Sequence, residues 1–271
     1  MGAGQLWHSG SRVDGSALDV ETTWARVSPL FLGCGYAVTV PAVRDRASAI
    51  GYARARAAEV AEALGATIDS DAWDEIASTD GALRVQGGWE FQPGRPFSAA
   101  WTRITEIPPA EGRRVVEVAA SELPWPANAT GATAGLAVLP TADDELALRQ
   151  VLAAGADVGM WFTGAGLLSG TTRGPLVLRT ADGRWITPAP ATGWAPTWMW
   201  TEVSQHLDAR EIGSGEDVLD APLVCVVTDV GDLLPITSVD GRPCPMEQDA
   251  LRQVAAARDS LLADGSRSPS D

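Results

Sequence analysis

Strand-like and helix-like patterns of apolar positions follow one another along the whole chain. Residues 5–10 (QLWHSG), 16–24 (SALDVETTW) and 31–40 (FLGCGYAVTV) read as short strands broken by turn residues. The run AVTV is β-branched, and Gly33-Cys34-Gly35 marks a bend or a close backbone approach. Residues 43–65 carry Ala, Arg and Glu at helical spacing and stop at a glycine. A second helix is predicted over 70–77, with Asp69 or Ser70 as its cap. Three strands follow, ALRVQGGWEF (82–91), SAAWTRITEI (98–107) and RVVEVAAS (114–121). The first half is therefore α+β with a mainly antiparallel sheet.

Residues 122–135 (ELPWPANATGATAG) are rich in Pro, Ala, Gly and Thr and read as an inter-domain crossing. Beyond them come LAVLP (136–140), a helix from about Asp143 to Ala154, the strand VGMWFTG (158–164) and a loop, LLSGTTRG (167–174). The segment 175–188 (PLVLRTADGRWITP) reads as a hairpin turning at Ala181-Asp182-Gly183. A helix over about 197–208, the segment REIGS (210–214) and a short helix at 216–221 lead to two strands, 223–230 and 233–243, and a last helix over 247–263. The expected organisation is an N-terminal α+β domain (1–121), the crossing (122–135), a C-terminal α/β barrel-like domain (136–264) and a disordered tail (265–271).

Net charge is -15, which argues against nucleic acid or an anionic membrane as partner, since both need a basic face. The first residues have neither the basic start nor the apolar stretch of a signal peptide, and the apolar runs are too short to span a membrane. Cys34, Cys225 and Cys244 are widely spaced and suit a reducing compartment, so a cytoplasmic location is expected. With only His8 and His206 and no CxxC or HxxxH spacing, no metal site is expected. His206 reads as an exposed helix residue. All 20 basic side chains are arginine, so the chain contains no lysine. Arginine stays charged and is no amine nucleophile, so this sequence cannot form a lysine Schiff base.

Several segments carry a resemblance. They are Ala147-Leu148-Arg149 to Gly155-Ala156-Asp157, then DGRWITPAPATG (182–193), then LLPITSVDGRP (233–243). In the first half, Gly33-x-Gly35 before a strand and a helix bearing Arg56 ahead of Leu64-Gly65 add to it. Together they resemble the class IV, fold-type IV proteins that use pyridoxal phosphate (PLP): branched-chain and D-amino-acid aminotransferases, and above all 4-amino-4-deoxychorismate lyase. The resemblance implies an α+β, two-domain class IV aminotransferase-like (D-amino-acid aminotransferase-like) fold and a homodimer.

It also implies a set of cofactor positions, and this chain departs from most of them. The family lysine follows an A-G-L-like stretch; here Ala134-Gly135-Leu136 precedes Ala137. The tyrosine after it would fall near Thr141 or Ala142. Ser169 stands for the glutamate that pairs with the pyridine nitrogen, and Gly174 for the loop asparagine. The phosphate cup would be Pro196-Thr197-Trp198-Met199 and Asp229-Val230-Gly231-Asp232, where two carboxylates would repel a phosphate. Of the phosphate-binding set only Arg56 is kept, and it reads equally well as a surface arginine. The expectation is a class IV fold that holds no PLP and no other cofactor.

The vacated cleft offers other chemistry. Trp194, Trp198 and Trp200 cluster at the phosphate loop; Trp194 and Trp198, at i and i+4, would share a face if the turn is helical. They could wall a flat or cationic ligand, or plug the cavity. Arg173 could clamp a carboxylate, Asp229 could act as general acid or base, and Tyr36 could donate a phenol. Trp89 and Glu90 lie on a strand that faces the cofactor in relatives, and Ser169 could contact substrate. Cys34 is a nucleophile by position, with a buried inert thiol as the alternative. Structural roles compete at each of these positions.

Three functions follow. The first is a PLP-independent lyase, isomerase or cyclase acting on a small organic metabolite in specialised (natural-product) biosynthesis. The second is a catalytically dead homologue that binds a ligand or a protein. The third, a PLP-dependent aminotransferase or aminodeoxychorismate lyase, is opposed by the missing lysine.

Overall fold

A computed structural model describes residues 5–8, 11–13, 35–89, 100–108, 114–127, 134–138, 142–211 and 216–263. Residues 16–24, Cys34, Glu90 and Thr141, which carried expectations above, lie outside them. The chain divides into two compact units: Met1–Pro109 with Leu136–Asp143, and Ala110–Gly135 with Asp144–Asp271.

Among the described residues the first unit is a five-stranded antiparallel sheet with two helices. The strands are β1 (Gln5–His8), β2 (Ser11–Val13), β3 (Gly35–Val40), β4 (Ala82–Trp89) and β5 (Ala100–Ile107), in the order β2-β1-β5-β4-β3. Helix α1 (Arg46–Ala63) follows β3, capped by Asp45, whose carboxylate accepts from the Ser48 amide at 3.0 Å. It buries Ala49, Ala53, Ala57, Val60 and Ala61, small residues that recur at helical spacing. Gly65, at φ +67°, supplies the left-handed turn that ends it. Helix α2 (Ser70–Ser78) is capped by Asp69, which accepts from the Asp71 and Ala72 amides. It buries Trp73 and Ile76.

Register assigns each strand residue to a face. Tyr36, Val38 and Val40 align with Gly87, Val85 and Leu83 on β4, and Gly87 and Val85 align with Thr102 and Ile104 on β5. This is the buried face. On the opposite face Ala37 aligns with Gln86 and then Arg103, and Gly35 with Gly88 and then Trp101.

The second unit holds a nine-stranded mixed sheet. Its elements are β6 (Val118–Glu122), α3 (Ala142–Ala153), β7 (Val158–Phe162), β8 (Leu168–Thr171), β9 (Leu176–Arg179), β10 (Trp185–Thr187), α4 (Trp198–His206), β11 (Arg210–Glu211), α5 (Glu216–Asp220), β12 (Leu223–Val227), β13 (Leu233–Val239), β14 (Arg242–Pro243) and α6 (Gln248–Leu261). The order is β11-β10-β9-β12-β13-β6-β7-β8, with β14 paired to β13. β6 follows the first-half strands in sequence, yet it pairs in parallel with β13 and β7 and so belongs here. The core is Leu176, Leu178, Ile186, Val224, Val226, Ile236 and their neighbours, residues from adjoining strands. Among the described residues no helix is long and apolar enough to cross a membrane.

One expected loop is a strand. Residues 168–171 pair antiparallel with β7 and are buried throughout, although Ser169, Gly170 and Thr171 read as loop residues. Their hydroxyls make burial tolerable. Ser169 donates to the Thr192 carbonyl at 2.8 Å and Thr171 to the Gly174 carbonyl at 2.6 Å.

Candidate functional site

In the second unit, three expected site positions lie in one neighbourhood. Ser169, on β8, is buried, and its hydroxyl proton is committed to Thr192. Gly170 follows it, and a Cβ there would stand 3.2 Å from Cβ of Trp194. Trp194 therefore lies over β8, in a non-helical stretch. Its indole donates to the Ala189 carbonyl at 3.1 Å. α4 begins only at Trp198, because Thr197 caps it through the Trp200 amide. The i, i+4 pairing of Trp194 with Trp198 is thus not formed. Trp194 meets Trp200 instead, edge to face, with ring centroids 4.5 Å apart. Trp200 donates to the Thr187 hydroxyl at 3.0 Å, and both Trp198 and Trp200 are buried.

Asp229 is half-buried in the turn between β12 and β13. That turn is closed by the Gly231 amide on the Thr228 carbonyl and by the Thr228 hydroxyl, which accepts from the Asp232 amide at 2.8 Å. Asp232 is buried and ion-paired. Its carboxylate accepts from the Arg114 main-chain amide at 2.9 Å, from Nε at 3.2 Å and from Nη2 at 2.6 Å. Arg258, itself buried on α6, donates Nη1 to the Gly231 carbonyl at 3.2 Å and Nε to Asp259 at 2.7 Å. Arg173 is exposed in the turn after β8, its amide donating to Thr171 Oγ1. Arg114 and Arg258 are partners of this turn that no local pattern announces, since Arg114 stands 118 positions from Asp232. His206 is exposed on α4, with Nδ1 2.9 Å from the Glu202 carbonyl.

In the first unit, Tyr36 and Trp89 come together with ring centroids 5.9 Å apart. Tyr36 lies across Gly87, where a Cβ would fall 2.3 Å from its ring, and reaches Thr102 Oγ1 at 3.3 Å. Burial pushes its phenol up to about 12, so the group stays protonated at neutral pH. Trp89 donates to the Thr67 carbonyl at 2.8 Å. Both rings are core of this unit. Arg56, on α1, pairs with Glu59 one turn on. Ala137 lies beside β3: its carbonyl accepts from the Ala37 amide at 2.8 Å, and Val138 bridges Tyr36. Among the described residues no group of His, Cys, Asp and Glu could hold a metal. Cys225 and Cys244 are buried free thiols.

These residues do not fit PLP in the arrangement the resemblance implies. No lysine exists to anchor it. The serine at the pyridine position has donated its proton to a carbonyl. The turn at the phosphate position contributes a carboxylate already matched to an arginine.

No protein-family model matches the chain, and no curated protein does. Solved structures match it closely in fold. A fold-type IV transaminase from Curtobacterium pusillum is 18% identical, with a TM-score of 0.75 over 94% of this chain and 98% of that one. The branched-chain amino acid aminotransferase of Escherichia coli is 14% identical, with a TM-score of 0.76 over 98% and 96%. A protein assigned as a 4-amino-4-deoxychorismate lyase, from Legionella pneumophila, is 16% identical, with a TM-score of 0.70 over 84% and 91%. The chain thus has the fold of fold-type IV aminotransferases.

Proposed function

We propose that this chain is a PLP-independent enzyme built on the fold-type IV aminotransferase fold, acting on a small organic metabolite. One observation carries the reading: a fold found in PLP-bound enzymes is here made from a sequence without lysine. The internal commitments of Ser169 and Asp232 support it, since the serine has no proton left to donate to a pyridine nitrogen and is no carboxylate that could hold that nitrogen protonated, and the aspartate is matched to Arg114. The chemistry proposed is a lyase, isomerase or cyclase reaction of natural-product type, with no transamination. Asp229 is the proposed acid–base group. It would take a proton from the substrate and return it after the bond change, with no redox partner needed. The protein is proposed to work as a cytoplasmic homodimer.

A second reading, a binding protein without catalysis, is favoured by the tryptophans. Trp198 and Trp200 are buried, and the indoles of Trp194 and Trp200 donate inside their own unit, as filled core does. One experiment separates the two. Small molecules that co-purify with the protein are identified by mass spectrometry and incubated with wild type and Asp229→Asn. Turnover by wild type and none by the variant supports the enzyme. A captured compound that neither protein changes sinks it in favour of the binding protein.

A further inference from the structure

In the second unit α4 and α6 pack against each other, and each brings its C-terminal turn to one place on the surface. His206 is the last residue of α4, and Ser260 is the last but one of α6. Ser260 Oγ stands 3.5 Å from His206 Nε2, and both residues are exposed. The other ring nitrogen, Nδ1, lies 2.9 Å from the Glu202 carbonyl. A carbonyl only accepts, so in the neutral ring this bond puts the proton on Nδ1 and leaves the Nε2 lone pair facing the serine. The Ser260 hydroxyl rests on the Ala257 carbonyl at 2.7 Å. Turning its proton about the Cβ–Oγ bond presents it to Nε2 without moving the oxygen. A hydroxyl, a base and a group that orients the base thus stand in sequence. The other nucleophiles among the described residues are poorer. The chain has no lysine. Cys225 and Cys244 are buried, and burial pushes both thiols up, that of Cys225 to about 12. Tyr36 is enclosed and keeps its proton.

We propose that Ser260 is an acyl-acceptor site for activated acyl esters, with His206 as its general base. Oγ attacks the acyl carbon, its proton passes to Nε2, and the bond to the leaving group breaks, releasing that group as an anion that then takes a proton. The product is an ester of Ser260. Two helix C-termini meet here, and their partial negative charge favours the imidazolium but opposes an oxyanion. A good leaving group drives the first transfer; hydrolysis of the plain serine ester lacks that drive. The site therefore takes up one acyl group and does not turn over. This assignment is independent of the preceding proposal.

The test is incubation of the full chain with 4-nitrophenyl acetate, following 4-nitrophenolate release and mapping acetyl groups by fragmentation of tryptic peptides. Ser78 is an internal control: it ends α2, is exposed, and donates to the Glu75 carbonyl at 2.9 Å, the same local bond without a histidine. Expected is one acetyl group on Ser260, in the peptide 259–267, acquired on the order of a hundredfold faster than on Ser78. His206→Gln should bring Ser260 down to the rate of Ser78, and Ser260→Ala should abolish the nitrophenolate burst. Equal rates at Ser260 and Ser78 in wild type overturn the proposal, as does an unchanged rate in His206→Gln. An undiminished burst in Ser260→Ala also overturns it, because the acyl group would then go to another nucleophile.

Discussion

Gly87→Ala probes the contact that fixes the register of the first unit's sheet. The backbone at Gly87 is not in the left-handed region, so alanine suits its conformation. Space does not suit it: the new Cβ would fall 2.3 to 2.4 Å from Cζ, Cε1 and the hydroxyl of Tyr36. The ring is 1% exposed and cannot swing into solvent. Forcing an extra methyl into such a site costs about 1–3 kcal/mol. Moving the phenol off Thr102 adds about 0.5–1.5 kcal/mol for the 3.3 Å hydrogen bond. Against this, losing glycine's freedom in the unfolded chain returns about 0.4–1 kcal/mol. The net expectation is destabilisation by about 1–3 kcal/mol, read as a lower urea midpoint with an unchanged slope. Tyr36→Ala removes the ring, so in that background Gly87→Ala should be neutral or stabilising. A Gly87→Ala midpoint at or above wild type, or the same cost in both backgrounds, would refute the packing.

Other consequences are independent of that contact. The Tyr36 phenol is raised by burial from 10.0 to about 12, so the folded state holds its proton more tightly than the unfolded state. Stability should therefore be unaffected by Tyr36 below pH 10 and fall between pH 10 and 12, by roughly 2–3 kcal/mol in all. Alkaline denaturation should show this, Tyr36→Phe should flatten it, and a profile identical in both proteins would contradict it. Asp232→Asn should cost about 1–3 kcal/mol, below the full value for a buried pair because the Arg114 side chain is 56% exposed. A neutral effect in urea melts would show that the pair does not hold the turn. Ser169→Ala leaves the Thr192 carbonyl without its donor in a buried site and should cost about 1–3 kcal/mol; an unchanged midpoint would rule that bond out as structural.

Local signals carried well into the structure. Asp69 caps α2, and the Ala-rich helix, the hairpin of β9 and β10 and the C-terminal helix stand within a few residues of where periodicity put them. What failed was non-local. β8 is a strand because its hydroxyls find carbonyls in the segments that follow it, a fact invisible in the string SGTT. β6 joins the second sheet through β13, more than a hundred positions away. The Trp194–Trp200 contact replaced an i, i+4 pairing because a threonine cap delays the helix start to Trp198. The candidate site divides the same way. The missing lysine is legible from composition alone. That Ala137 lies beside β3 is not legible, because it rests on a hydrogen bond to Ala37, a hundred positions away.

The central claim is that this chain does not use PLP, and reconstitution tests it most directly. The purified protein is incubated with excess PLP and desalted, its visible absorption is recorded, and a second portion is reduced with borohydride before desalting and examined by intact mass. The account predicts no retained cofactor band and no stoichiometric phosphopyridoxyl adduct. A stoichiometric, spectroscopically distinct complex that survives desalting would contradict it.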